Sequence, residues 1–447
     1  MKVKIGFVGY GAFSRDFIRL FEMHPDVEKI CIAELFEERR EEIKKDHPGV
    51  EVYASYDEML EKATDINSIG IFTQRHLHGP MVIKALKAGK HVYSAVPIGC
   101  TIEEIAEIVE LVKKTKLVYM MGETCYYYPA AIFCREKYKN GEFGKFVYAE
   151  AQYYHDIREM YDDFSRSGGP NWRRVAGIPP MFYPTHSISM VFSAIGQHAT
   201  QVSCLGLNDD FPDDIYGKEK NDFENPFSNE TAIFRMSGGG VVRINEFRRV
   251  GINKPSTYIT CFYGEQAAYE CIADQHIFQT APFVDRDGKD HPMYMEYVSD
   301  KLMPEWFLDF KNGNYDQEKI GDSSKGTVDP RLLGLTWDDH TTPVSVPAIE
   351  GFAKIQDKSR LPKAFRDIPP YSHFNSHPFL VDDFVRAVVD NKLPPNNAWD
   401  AARYMIPGLV AHESALQGGK FLDIPDYGEA PEEFQRLTYD KKDYYED

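Results

Sequence analysis

Lys2-Val-Lys-Ile-Gly-Phe-Val-Gly9-Tyr-Gly11-Ala-Phe-Ser14 opens the chain, and the fold follows from how this stretch is read. Val3, Ile5, Phe7 and Val8 form an apolar run of strand length that stops at Gly9. From Phe13 to Phe21 the apolar residues recur with a helical period. A strand, a glycine turn and a helix in immediate succession make a phosphate cradle. Gly9 permits the tight turn and Gly11 lets a ligand approach the backbone. The N–H groups opening the helix, at Ala12, Phe13 and Ser14, then face a pyrophosphate. Ser14 stands where a GxGxxG motif has its third glycine. The next apolar run, 30–33, ends in Glu34, 23 residues after Gly11, where a carboxylate accepts the ribose hydroxyls of an adenosine and repels a 2′-phosphate. The cofactor expected from these residues is NAD rather than NADP. Arg39 and Arg40, the nearby cations, are assigned to a solvated helix face.

Working outward, the pattern repeats. A helix over 37–45 and a strand over 51–53 come next. Ser55 with Glu58 and Thr101 with Glu104 make two capping boxes, and further strands read at 67–72, 91–94 and 117–121. Strands alternating with helices in this way predict an α/β class with a doubly wound parallel Rossmann sheet over residues 1–125. The loops at Gly9, Glu34, Thr73, Ala95 and Gly122 then lie at the carboxyl ends of the strands and share one crevice. From 126 to 447 longer alternating runs at 145–154, 231–236, 240–247, 257–262 and 267–272 predict an α+β domain on an open, mainly antiparallel sheet. Irregular inserts near 209–229 and 284–370 interrupt it. Helices follow from 379, expected to pack back on the first domain, and from 398, and the tail beyond 429 is expected on the surface.

Composition narrows the function. In 447 residues, 43% hydrophobic and 13% aromatic content describe an ordinary globular enzyme. A formal charge of −18 argues against a nucleic-acid partner, which needs a basic face. No apolar run has membrane-spanning length and no secretory leader is read, so a cytoplasmic protein with no membrane partner is expected. The seven cysteines show no CxxC spacing and are expected reduced and buried. No HExxH-type spacing supports a metal; His373 and His377 merely flank Asn375.

The motif order resembles the Gfo/Idh/MocA family. GYGAFS, Glu34, Thr73-Gln-Arg-His-Leu-His78, Ala88-Gly-Lys-His-Val92, Pro97 and a helical His186 carry the likeness across nearly the whole chain. The resemblance implies an NAD(P)-dependent sugar or cyclitol dehydrogenase with a Rossmann domain, a sheet-based second domain and a homo-oligomeric assembly. That family places Glu-Lys-Pro where this chain has Ala95-Val96-Pro97, and an aspartate three residues after the site histidine, where this chain has Ser189. A narrower resemblance, to the NAD-dependent glycosidases of glycoside hydrolase family 109, shares the missing lysine. It also covers Met120-Met121-Gly122-Glu123, Tyr153-Tyr154-His155-Asp156 and Tyr183-Pro184-Thr185-His186.

The roles that follow are expectations. His186 is the acid/base for an oxidised hydroxyl, since an imidazole titrates near neutrality. Tyr183 and Tyr153 are candidates for a C2 proton or for water, each needing a nearby positive charge. Glu123, His155 and Arg173 are expected to hold substrate. Thr73, His76, His78, Ala95, Val96 and Pro97 are expected along the nicotinamide side of the cofactor. Three readings stay open: a redox-neutral sugar-processing enzyme of glycosidase type, an ordinary sugar or inositol dehydrogenase, and a non-catalytic NAD-binding regulator.

Overall fold

The structure is a computed structural model that describes residues 2–251, 258–272, 275–284, 288–305, 308–309, 327–328, 344–345, 351–369 and 373–439. Most of the long insert and the last residues of the tail therefore lie outside the described residues.

The opening stretch folds as β1 (Val3–Val8), a turn, and α1 (Ala12–Met23). It is followed by β2 (Val27–Ala33), α2 (Glu37–Asp46), β3 (Glu51–Tyr53), α3 (Tyr56–Lys62), β4 (Ser68–Ile71), α4 (His78–Lys87), β5 (His91–Ser94), α5 (Ile102–Thr115) and β6 (Tyr119–Met121). The six strands lie in the order β3-β2-β1-β4-β5-β6 and pair in parallel. This is the doubly wound order whose switch point falls between β1 and β4. β1 is buried almost throughout because both faces of a parallel sheet are covered by helices. The Ser and Thr halves of the capping boxes form as read, while the glutamates reach one residue further back, Glu58 to Ala54 N at 2.7 Å and Glu104 to Cys100 N at 2.9 Å. Ser55 Oγ accepts from Glu58 N at 3.1 Å, and Thr101 Oγ1 accepts from Glu104 N at 3.1 Å.

α6 (Pro129–Lys139) leads into β7 (Phe146–Tyr154), and α7 (Tyr161–Gly168), α8 (Trp172–Ala176) and α9 (Thr185–Ile195) follow. Then come β8 (Ala199–Asn208), β9 (Phe227–Met236), β10 (Val241–Phe247), β11 (Tyr258–Gly264), β12 (Ala267–Ile272) and β13 (Gln275–Thr280). With Tyr294–Tyr297 on one edge and Leu422–Asp423 on the other they form a nine-stranded sheet. It is mostly antiparallel; β7 and β10 pair in parallel because α9, β8 and β9 carry the chain between them. The buried face, with Ala149, Ala151, Phe234 and Ile244, packs against α9 and the helix Ala398–Leu416. β8 and α6 were not read from sequence.

The helix His377–Asp390 leaves the second half of the chain and lies on α1 and β1. Phe384 meets Phe21 and Tyr93 at ring-centroid distances of 6.1 and 5.6 Å, closing the first domain's core. The 209–229 insert is held from within, by Asn221 and Asn225 bonding the backbone at Ile215, Gly177 and Phe227. The tail is less superficial than expected: Leu437 is buried, and its N–H donates to Leu393 O, because 435–437 runs beside Leu393. All seven cysteines are free and buried.

Candidate active site

The carboxyl ends of β1, β2, β4 and β5 open on one cleft of about 530 Å³, walled on its far side by β7 and the segment 160–186. Gly9, at φ +96°, makes its floor. A Cβ there would sit 2.5 Å from Phe72 O, so no other residue fits without moving the backbone. Gly11 has open space where its Cβ would be, and it caps α1 with no side chain bonded to the first-turn N–H groups. These are the conditions a pyrophosphate needs. Phe13, Ser14, Glu34, Thr73, Ala95 and Val96 line the same cleft. Glu34 is buried, with Oε2 accepting from Tyr10 N at 2.8 Å and Oε1 from Phe36 N at 3.0 Å. Two backbone donors fix its carboxylate, and each oxygen keeps a lone pair for a ribose hydroxyl. These residues fit NAD.

Arg39 is not on a solvated face. It lines the cleft with Nη1 3.8 Å from Glu34 and donates to Arg166 O on α7 at 2.9 Å. Arg40 turns back to the carbonyls of Glu34 and Leu35.

At the inner end stand Gly122, Tyr153, His155, Tyr183, His186 and His373. Tyr153 comes from the end of β7, on the buried face with Ala149 and Ala151. Tyr183 precedes α9 and His186 sits in its first turn. The His186 ring meets the edges of both tyrosines, at 5.4 Å from Tyr153 and 5.1 Å from Tyr183. Glu123, delivered by the end of β6, accepts from Cys125 N at 2.9 Å and lies 2.8 Å from His186 Nδ1 through the same oxygen. Burial pushes its carboxyl up, but the His186 charge and these hydrogen bonds outweigh that and hold it below the usual carboxylate range. The carboxylate therefore orients the imidazole through Nδ1 and turns its Nε2 side away from the pair. Ser189, in the position of the family's aspartate, bonds the His186 carbonyl at 3.2 Å and not the ring.

Two guanidiniums flank the tyrosines. Arg75 lies 4.3 Å from the Tyr183 ring and Arg248 4.6 Å from the Tyr153 ring. Burial raises both phenols, with Arg248 chiefly opposing it at Tyr153 and Arg75 at Tyr183. The Tyr153 hydroxyl and His155 Nδ1 are 2.5 Å apart. Behind them Glu246 is fully buried, bonded by Ser187 Oγ and by Arg248 Nη2 at 2.8 Å; burial pushes its carboxyl up to about 7.

Four expected residues stand elsewhere. Glu123 lies behind His186, off the cleft surface, so it reaches a substrate only through the imidazole. Arg173 stacks on Trp172 at 4.5 Å and donates to Asp213 O at 3.1 Å, because its short helix turns it toward the 209–229 insert. His76 turns to Phe223, 6.4 Å away. In the 3-10 turn Arg75–Leu77 positions three apart share a face, so Arg75 goes with His78 toward the cleft and His76 does not. Pro97, after a cis bond to Val96, gives its carbonyl to His78 Nδ1 at 2.8 Å while His78 Nε2 lies 3.1 Å from Thr73 O. His78 thus ties two of the strand-end loops together. His373 enters the cleft unforeseen, with Phe374 and Asn375 after it, all at φ between +48° and +60°. Three successive left-handed residues without a glycine are a strain that sequence patterns do not reveal.

Residues 3–123 match the Gfo/Idh/MocA oxidoreductase family, NAD-binding Rossmann fold. The first domain is of that NAD-binding type. The chain is also similar to glycosyl hydrolase family 109 protein 2 and to an alpha-N-acetylgalactosaminidase, both of Bacteroides fragilis. It is 30% identical to each over 211 residues, which are 44% of this chain and 49% of the relative. It thus spans about half the length of the curated relatives it matches. In fold it is similar to myo-inositol 2-dehydrogenase from Lactobacillus plantarum, with a TM-score of 0.60 and 18% identity over 95% of this chain and 100% of that one.

Proposed function

We propose that this chain is an NAD-dependent enzyme that processes a carbohydrate without net oxidation, in the manner of a glycosidase. One arrangement carries the reading. His186, backed by Glu123, stands with two tyrosines at the inner end of the cleft, while buried Val96 occupies the position of the dehydrogenase lysine. The names of the family 109 relatives support it.

When bound, NAD supplies a reversible hydride store at sugar C3, filled at the start of the cycle and emptied at its end. His186 Nε2 takes the proton of the C3 hydroxyl, and the Glu123 carboxylate stabilises the imidazolium that forms. With C3 a ketone, the C2 proton is acidic. Tyr153, its own proton passing to His155 Nδ1 2.5 Å away, or Tyr183, its own proton passing to water, removes it; the C–H electron pair makes the C1–C2 double bond, and the C1 substituent departs with the bonding pair and takes up a proton. Water then adds its hydroxyl to C1 and a proton to C2, and His186 returns its proton to the C3 oxygen. The balance is glycoside plus water giving sugar plus alcohol. Each proton-transfer group contributes about 10²- to 10⁴-fold.

Incubation with aryl glycosides in D₂O and no added cofactor tests this. Release of the aryl alcohol with deuterium at C2 of the sugar is expected. Accumulation of NADH in a parallel incubation supplied with NAD and free sugars, without release from the glycosides, would overturn it in favour of a dehydrogenase, a second reading favoured by the Glu123–His186 pair being sufficient by itself for one hydroxyl.

A further inference from the structure

Behind the tyrosine pair the cleft continues into a recess whose polar lining is Arg75, Arg248, His155 and the tyrosines Tyr153, Tyr183 and Tyr216. Ile157, Met160, Ala176 and Ile178 complete it, and no carboxylate lines it. Its cavity volume of about 10 Å³ leaves room for roughly one water-sized group, too little for a second sugar ring.

The charges around it are unequally satisfied. Arg248 is bonded to Glu246 at 2.8 Å and to the carbonyl of Phe247 at 3.2 Å. Asp163, farther out along the cleft, is paired with Arg166 at 2.8 Å, and Glu123 faces His186. Arg75 has neither a carboxylate within ion-pair distance nor a hydrogen-bond acceptor among the described residues. It lies over two aromatic rings, Tyr183 at 4.3 Å and Phe164 at 5.7 Å. A half-buried guanidinium with its five donors unspent, at the edge of a pocket without acidic lining, is an arrangement for gripping an oxyanion on a ligand.

The geometry points to a subsite for a monoanionic substituent of the sugar, a carboxylate or a sulfate ester, that stays in the main cleft against Arg75 and places a single oxygen in the recess, with Arg248 and the tyrosine hydroxyls beside it. The substrate class is therefore an acidic sugar. This deepens the proposed function and rests on it, because the recess adjoins the tyrosines assigned to the C2 proton.

Calorimetry on the NAD-loaded protein tests the subsite. The probes are methyl glucuronide and methyl galacturonide, the corresponding neutral methyl glycosides, and the 6-sulfate esters of the latter. One of the two anionic series is expected to bind about 10- to 100-fold more tightly than its neutral counterparts, the range of a charge-assisted hydrogen bond. Which series wins identifies the oxyanion. Arg75→Gln is expected to bring that ratio near one, while Arg75→Lys, which keeps the charge, retains most of it. Equal binding of acidic and neutral sugars, or an unchanged ratio in Arg75→Gln, overturns the subsite. If neutral aryl glycosides are nevertheless hydrolysed with C2 exchange, the subsite alone has failed. If no sugar binds and none is processed, the proposed function fails with it.

Discussion

Glu123→Gln is the substitution that isolates the pairing on which the chemistry depends. The wild-type carboxylate is fully buried, spends one oxygen on Cys125 N at 2.9 Å and lies 2.8 Å from His186 Nδ1. Gln keeps the shape and can still accept from the same atoms, so the change removes chiefly the negative charge that stabilises a protonated imidazole. A hydrogen bond to a charged group contributes about 1.5–3 kcal/mol, and at about 1.4 kcal/mol per decade the rate should fall roughly 10- to 150-fold. The assay is deuterium incorporation at sugar C2 under single turnover, beside a thermal melt to show the variant folded. Acid adds an independent check. The Glu123 carboxyl is held below its ordinary value of 4.5, against the opposing push of burial, by His186. Its contribution to stability is thus complete above that value and disappears as pH falls through the lowered one. The Gln variant should lack this component of the acid melt. A variant with a C2 exchange rate within twofold of wild type and the same acid profile would refute the claim that Glu123 sets the state of His186.

Other perturbations separate cofactor from scaffold. Gly9→Ala should destabilise the fold by about 1–3 kcal/mol, read as a lowered Tm, because φ is +96° and the new Cβ meets Phe72 O. Gly11→Ala has open space at the same distance limit, so the melt should stay unchanged while NAD affinity, measured by calorimetry, falls at least tenfold as the methyl meets the pyrophosphate. Glu34→Ala should weaken NAD about tenfold and narrow the NAD over NADP preference, as ribose hydroxyls lose two charged acceptors; an unchanged preference would remove Glu34 from the site. At Glu246 the folded value is about 7 against an ordinary 4.5, raised first by burial. The fold favours its neutral form, so this contribution is full below 4.5 and is lost as pH rises through 7. The loss is on the order of 3 kcal/mol. Urea titrations at several pH values should show that slope in wild type and a flat window in Glu246→Gln.

Local pattern alone determined the parallel six-stranded sheet. Strand and helix periods, a glycine turn and Glu34 are all short-range signals, and a parallel sheet leaves them few ways to assemble. The two tyrosine–histidine segments were also legible, because a resemblance named them before any geometry did. What only the tertiary structure decided were directions. His76 and Arg75 are neighbours in sequence, and a 3-10 turn sends the arginine to Tyr183 and the histidine to Phe223. Arg173 faces Asp213 because a five-residue helix happens to turn it there. Glu123 became the partner of His186, 63 residues on, because strand β6 ends where helix α9 begins. Arg248 over Tyr153 depends on the parallel pairing of β10 with β7, and His373 on a strained turn far along the chain. Periodicity specifies which face of an element is buried, since burial is a property of the element. Which buried side chains meet is a property of the packing, and no local period encodes it.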